Sequence, residues 1–294
     1  MKTAFIFAAL ILFQTDVPYA HATEPQTATK PAGVEAERRR EAMVPIENYI
    51  RSQETGTADS ARAAFHKDAR MDGVRQTGYV SAPIDDAWFG RYPGKPDKDG
   101  PQAKRTVDMI DLTATTGFVR LKSVYPKMAF EDYMMLLKVD GEWKIMQKLF
   151  HIVRAPTAEG QSAAKAVGAS EIKAALVPIE NYIKALETEN LDYAQRAFHK
   201  DARMIGVNAR GYYSNPISEF MKNMDGKPQD DEALRVRSIE MIDITPTSGV
   251  VRLELVYPDI IFVDHMSLVK IEGEWKIVQK LFHAMRPPAP IAAK

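Results

Sequence analysis

Cysteine is missing from all 294 residues. Its absence excludes disulfides, thiolate nucleophiles and cysteine-built zinc sites, and it rules out a lipid-attachment signal. Net charge is missing too. The 39 Lys and Arg balance 39 Asp and Glu, so no overall field draws the chain to nucleic acid or to an acidic membrane. No basic stripe with interleaved aromatics compensates. Dinucleotide, Walker and G-x-S-x-G fingerprints are absent. So are the His-x-His and His-x-x-x-His spacings that usually announce a metal site. Neither cofactor nor metal is expected.

Long apolar runs are confined to the first residues. Lys2 precedes the apolar stretch Ala4–Phe13, and Ala20-His21-Ala22 follows as a small-x-small signature. The stretch is too short to span a membrane as a helix. The pattern predicts a secretory signal peptide over residues 1–22, cleaved at about Ala22–Thr23, and an exported, periplasmic or secreted protein. The whole chain is 45% apolar and 27% charged, an ordinary globular composition.

What is present is a duplication. AFHKDARM at residues 64–71 recurs letter for letter at residues 197–204, Val44–Ile50 recurs at Val177–Ile183, and Asp132–His151 at Asp264–His283. Each copy is one collinear unit the size of a domain. The expected division is a disordered segment over 23–36, a first domain over 37–153, a flexible linker over 154–169, a second domain over 170–286 and a tail over 287–294. Within a copy, helices come first. Ile172, Ala175, Leu176, Ile179, Tyr182, Ile183 and Leu186 keep helical spacing, with Ser170 as N-cap and Pro178 as a kink or the true start. A short second helix ends near Phe65 or Phe198. Strands are predicted around Arg70–Val74, then over Thr106–Leu112, Phe118–Tyr125, Phe130–Val139 and Glu142–His151, with a short helix near Ile84–Phe89 as an option. Asp140-Gly141, and Glu272-Gly273 in the second copy, mark a tight turn before the last strand. Segregated helices followed by an antiparallel run indicate α+β.

Phe65, His66, Asp68 and Ala69, followed by the hairpin Asp132, Leu136, Lys138, Gly141, Trp143, Lys144, Ile145, Lys148 and Phe150, form a pattern. The second copy repeats it with Phe198, His199, Asp201, Ala202, Asp264, Leu268, Lys270, Gly273, Trp275, Lys276, Ile277, Lys280 and Phe282. This pattern resembles the Putative lumazine-binding family of the nuclear transport factor 2-like (SnoaL-like) superfamily. The resemblance covers nearly all of both units. It implies two tandem cone-shaped, cystatin-like domains, each with N-terminal helices packed on a curved antiparallel sheet around an apolar pocket. It also implies that the two copies pair through the outer faces of their sheets as an intramolecular pseudo-dimer. It implies little about reaction, because the superfamily mixes enzymes with binding modules.

Strand alternation sorts the hairpin. With Asp140-Gly141 as a two-residue turn, one face carries Phe130, Asp132, Met134, Leu136, Lys138, Trp143, Ile145, Gln147, Leu149 and His151. Those residues are the same in both copies, whereas Tyr133, Met135 and Leu137 on the other face become His265, Ser267 and Val269. The fixed face is therefore expected to be the pocket face. Asp132 and His151, like Asp264 and His283, fall diagonally across the strands, where a carboxylate could orient an imidazole for acid/base work. The alternative is that both satisfy backbone groups at the cone's rim, and that reading is preferred. Gln147 and Gln279, Met134 and Met266, Trp88 and Phe220, and Tyr79 and Tyr212 are the candidate ligand-binding residues. His66 and His199 hold a secondary place at the same rim. In AFHKDARM, Phe65 is expected to complete the helix, His66 to close its C-terminus, and Asp68 to accept backbone N–H groups in a turn. Related ketosteroid isomerases use an acidic base near Asp72, but the second copy has Ile205 there.

The reading that results is an exported tandem protein binding a small, mostly apolar or aromatic ligand. The alternative is a lyase, dehydratase or isomerase using the Asp–His pairs. A third is a non-catalytic interaction module whose cone is filled by its own side chains. No nucleic-acid or membrane partner is expected after signal cleavage, and a further homo-oligomer is left open.

Overall fold

The structure, a computed structural model, describes residues 32–96, 100–154, 167–208 and 210–286. The expected signal peptide, most of the linker and the tail lie outside the described residues. Helices α1 (Ala32–Thr55) and α2 (Ala58–Ala64) open the first unit. They are followed by β1 (Phe65–Arg75), β2 (Gly78–Pro83), α3 (Asp86–Phe89), β3 (Lys104–Leu112), β4 (Thr116–Val124), β5 (Met128–Val139) and β6 (Glu142–Arg154). The second unit repeats the order with α4 (Ala169–Thr188), α5 (Leu191–Ala197), β7 (Phe198–Asn208), β8 (Gly211–Pro216), α6 (Ile217–Met221), β9 (Val236–Ile244), β10 (Ser248–Val256), β11 (Ile261–Ile271) and β12 (Glu274–Met285).

Several expectations are corrected. α1 begins at Ala32, inside the stretch expected to be disordered. Both long helices run through their proline, Pro45 or Pro178, because burial of Ile46, Tyr49, Ile179 and Tyr182 offsets the one lost backbone bond. Gly168, not Ser170, is the N-cap of α4. β2 and β8 are strands where a Gly/Pro-rich middle was expected; their glycines and prolines mask a strand that hairpins back onto β1 or β7. Phe65 begins the strand instead of finishing the helix, and His66 Nδ1 accepts the Asp68 N–H at 3.2 Å.

Each unit forms one six-stranded sheet, ordered β2-β1-β6-β5-β4-β3 and β8-β7-β12-β11-β10-β9. All neighbours are antiparallel except β1 with β6 and β7 with β12, which are parallel. The architecture is two tandem α+β units, each with its helices on one face of a mostly antiparallel sheet, as the resemblance implied. Inside each, the helices close one face of the sheet over a core that includes Ile46, Phe65, Trp88 and Leu136, or Ile179, Phe198, Ile217 and Leu268. Lys138 reaches Glu41 on α1 at 2.6 Å, and Lys270 reaches Glu171 on α4 at 2.8 Å, tying the terminal hairpin to the helix.

A third cluster joins the two units. Phe118, Tyr133, Met135 and Leu149 of the first sheet pack with Val250, Val269 and Leu281 of the second. Polar contacts repeat across this seam in pairs. Arg120 grips Asp243 with bonds of 2.9 and 2.7 Å, and Arg252 grips Asp111 with bonds of 3.0 and 2.9 Å. The Tyr133 hydroxyl donates to Asp243, and His265 Nε2 bonds Asp111, both at 2.7 Å. Such reciprocal contacts are those of an isologous dimer built into one chain. The sheets meet by their outer faces, as the resemblance implied.

The seam also collects imidazoles. His151 bonds Thr247 and His283 bonds Thr115, His265 bonds Thr116 and Asp111, and His66 and His199 pack on Tyr212 and Tyr79. Burial is the main cause that lowers the pKa of His66, His151 and His199 below the ordinary 6.5. The unfolded chain then takes up these protons first, so their contribution is complete above about 6.5 and is lost as pH falls toward the folded values. The melting temperature is expected to fall as pH drops from 7.5 to 5.5. Replacing His151 by Gln is expected to flatten that dependence, measured by circular dichroism melts.

Candidate functional site

The terminal hairpin turns as its sequence demands. Asp140 (φ 51°) and Gly141 (φ 85°) occupy the left-handed region that a two-residue turn requires. Val139 faces Glu142, Lys138 faces Trp143 and Leu136 faces Ile145, as the count outward predicts. The count then breaks. Met135 faces Gln147, Met134 faces Lys148, Asp132 faces Phe150 and Glu131 faces His151. Met146 is an extra residue on β6, a β-bulge, and every side chain beyond it changes face. Val278 does the same to β12, where Ser267 faces Gln279 and Asp264 faces Phe282.

The bulge separates the expected pairs. Asp132 stays inside the cone, while His151 turns to the seam, where its Nδ1 bonds Thr247 at 2.7 Å. Asp264 and His283 part likewise, with His283 against Thr115. Gln147 also leaves the cone: it donates to Asp72 at 2.7 Å and accepts from Ser267 at 2.6 Å. Gln279, paired in register with Ser267, is buried at the seam. Tyr79 donates to Asp72 at 2.8 Å and packs on His199, so it too belongs to the seam, as does Tyr212 against His66. Asp72, where an isomerase base was considered, is buried among these seam residues. Met134 and Met266 are fully buried core. Of the expected ligand-binding residues, Trp88 and Phe220 line a cavity.

What the bulge brings in is lysine. Lys148 and Lys280, on the opposite face by simple alternation, enter the cones and form buried ion pairs with Asp132 and Asp264. The signal was present: both lysines recur in the repeat just before the apolar pair Leu149-Phe150 or Leu281-Phe282, within a strand whose other side chains are mostly apolar. Lys148 Nζ sits 5.7 Å from the ring centres of Tyr49 and Phe130 and 5.8 Å from that of Phe150, an arrangement that favours a cation. Gly73 lets the Phe150 ring lie on β1; a Cβ there would come within 2.7 Å of it.

Above the pair, the first cone encloses about 600 Å³, lined by Tyr49, Trp88, Tyr125, Phe130, Asp132 and Lys148 among others. Its wall also carries polar groups. Ser52 and Gln53 both donate to the Tyr92 hydroxyl, and Ser123 lies on the same cavity. The second cone is smaller, about 240 Å³. Burial pushes the Asp132 carboxyl above the ordinary carboxylate range, against the pull of Lys148. In the second cone burial pushes the Lys280 amine down, against the pull of Asp264. Burial, followed by the charge of Asp132, holds the Tyr49 phenol well above its usual range. The apolar cage thus works against the charged carboxylate in the first cone and against the charged amine in the second. Such a pair can accept a proton from carbon or oxygen and present a cation to a developing negative charge. Among the described residues no group of three or more His, Asp or Glu is placed to hold a metal ion, and no helix is long and apolar enough to cross a membrane.

The family model for Putative lumazine-binding proteins matches residues 37–151 and again residues 170–283. The chain belongs to that family. Among similar proteins is Aldolase FrzH of Cladobotryum sp, 29% identical over 124 residues that span 41% of this chain and 97% of FrzH. Among solved structures, a nuclear transport factor 2-like protein of unknown function from Shewanella baltica shares 22% identity with a TM-score of 0.38, covering 42% of this chain and 100% of that one. Another, from Methylobacillus flagellatus, shares 27% identity with a TM-score of 0.38, covering 42% and 99%.

Removing one partner of the buried pair strands the other. Lys148→Met is expected to lower the unfolding free energy by about 3–5 kcal/mol, whereas Lys148→Met with Asp132→Leu recovers most of that loss. Urea denaturation of the two variants beside the wild type makes the comparison.

Proposed function

We propose that this protein binds a small aromatic ligand in its first cone, with the ligand's polar end against Asp132 and Lys148. The observation that carries this reading is the cavity itself: about 600 Å³, walled by aromatics, with one buried ion pair reaching its surface. A concave apolar site with a few convergent polar groups is the usual form of a small-molecule site. Membership of a ligand-binding family supports the reading. The open cavity speaks against a module whose cone is filled by its own side chains. The N-terminal apolar run supports export, so the ligand would be met outside the cytoplasm; N-terminal sequencing of protein recovered from the periplasm or medium checks this.

A second reading has a specific observation behind it. The pair lies where a reacting carbon could reach it, and FrzH is named an aldolase. In that case Asp132, not an Asp–His couple, would remove a proton next to a carbonyl, and the Lys148 ammonium would hold the oxygen on which charge develops.

Thermal-shift and native mass spectrometry measurements with a panel of mono- and bicyclic aromatics bearing ring hydroxyl or carbonyl groups address the binding reading. At least one panel member is expected to raise the melting temperature saturably and to appear as bound mass. Ser123→Trp, which fills the cavity, abolishes both effects. No shift with any member, or no member whose binding is lost in the filled variant, contradicts the proposal. For the enzymatic reading, deuterium uptake next to the carbonyl of a bound ketone is expected, slowed about 10²–10⁴-fold by Asp132→Asn. Uptake that is unchanged in Asp132→Asn counts against it.

A further inference from the structure

The two cones share a floor and differ in their walls. Tyr49, Asp132, Lys148 and Phe150 of the first are matched by Tyr182, Asp264, Lys280 and Phe282 of the second. The helix wall is in the same register in both, because Gly94 donates to the Gly56 carbonyl at 2.9 Å and Gly226 donates to the Glu189 carbonyl at 2.8 Å. With that register, Ser52 becomes Ala185, Gln53 becomes Leu186, Tyr92 becomes Met224 and Ser123 becomes Leu255. Three of these changes replace a hydroxyl or amide by hydrocarbon, and the fourth replaces a phenol by a thioether. Leu186 and Leu255 lie on the second cavity, as Gln53 and Ser123 lie on the first.

The floor is also presented differently. Asp132 and Lys148 both line the first cavity, whereas Lys280 lines the second and Asp264, fully buried, does not. Arg235, with its guanidinium 4.4 Å from the Tyr257 ring centre and paired to Asp231 at 2.8 Å, enters the second wall where the first copy has Ala103. The accessible volume drops from about 600 to about 240 Å³. Glu189 also lines the second cavity, where the first has Gly56, and Arg235 there is already paired to Asp231. A buried wall with fewer free hydrogen-bonding groups penalises any ligand polar group that it cannot satisfy, while a wall that carries more of them penalises a ligand lacking their partners.

We propose that the second cone is a separate binding site for a smaller ligand, with an apolar body, one hydrogen-bond acceptor that meets Lys280, and no further polar group. The contrast rests on the first-cone reading above; the second site does not. With Asp264 withheld behind the lysine, chemistry of the Asp–Lys kind is confined to the first cone.

Acetophenone and 3,4-dihydroxyacetophenone are matched probes: one skeleton and one carbonyl, with and without ring hydroxyls. Equilibrium dialysis against the full chain is expected to show one saturable acetophenone site. Its affinity falls at least tenfold in Leu186→Gln/Leu255→Ser and stays within twofold in Ser52→Ala/Gln53→Leu/Ser123→Leu. The dihydroxy probe is expected to show the reverse. If the polar second-cone variant does not fold, Leu255→Phe, which fills the cavity with hydrocarbon, is expected to abolish acetophenone binding alone. Absence of acetophenone binding, or its equal loss in the first-cone variant, overturns the proposal. Absence of dihydroxyacetophenone binding with acetophenone intact strikes the first-cone reading instead.

Discussion

One extra residue on β6 governs what each cone contains. Met146 has no opposite number on β5, so the strand turns over beyond it. Lys148 and Phe150 swing inward, while Gln147, Leu149 and His151 swing outward. Val278 repeats the device on β12. A bulge changes no chemistry by itself, yet it decides which ionisable group shares the cavity with Asp132. Without it the carboxylate would sit on the same face as an imidazole; with it, it is paired to an amine inside an aromatic cage. The ion pair in each cone and the place of His151 or His283 at the seam follow from that one residue.

The seam explains why one face of the hairpin differs between copies. In a dimer of identical chains, an isologous interface must be complementary to itself. Once the two halves share a chain, each side can change on its own, provided its partner answers. Tyr133 and His265 occupy equivalent places and both meet an aspartate, Asp243 or Asp111. Gln147 is held between Asp72 and Ser267, a set whose counterparts in the other half are Gln279, Ile205 and Met135. Drift on this face therefore reflects divergence of an interface, and constancy on the other reflects a core that both cones still need.

The octapeptide AFHKDARM belongs to the same account. Its alanine ends a short helix and its phenylalanine starts a strand. Its histidine packs on a tyrosine of the opposite unit, Tyr212 for His66 and Tyr79 for His199. The motif is present twice because each unit offers the same joint to its partner.

The duplication, the length of each unit, the helices-then-strands order and the Asp140-Gly141 turn were legible from sequence alone, because each rests on local chemistry: repeated letters, helical spacing, and residues that tolerate a positive φ. The short strands β2 and β8 were not, since glycine and proline conceal strand character. The site was half legible. Asp132 and Trp88 line the first cavity, whereas His151, Gln147 and Tyr79 lie at the seam. The physical reason is that β5 and β6 are buried on both sides, by the cone on one and by the other unit on the other. A bulge usually betrays itself when polar residues switch from the solvent face to the core face. With no solvent face to compare, the alternation past Met146 carries no mark of the slip. Only tertiary packing decided which of Lys148 and His151 would look into the cavity.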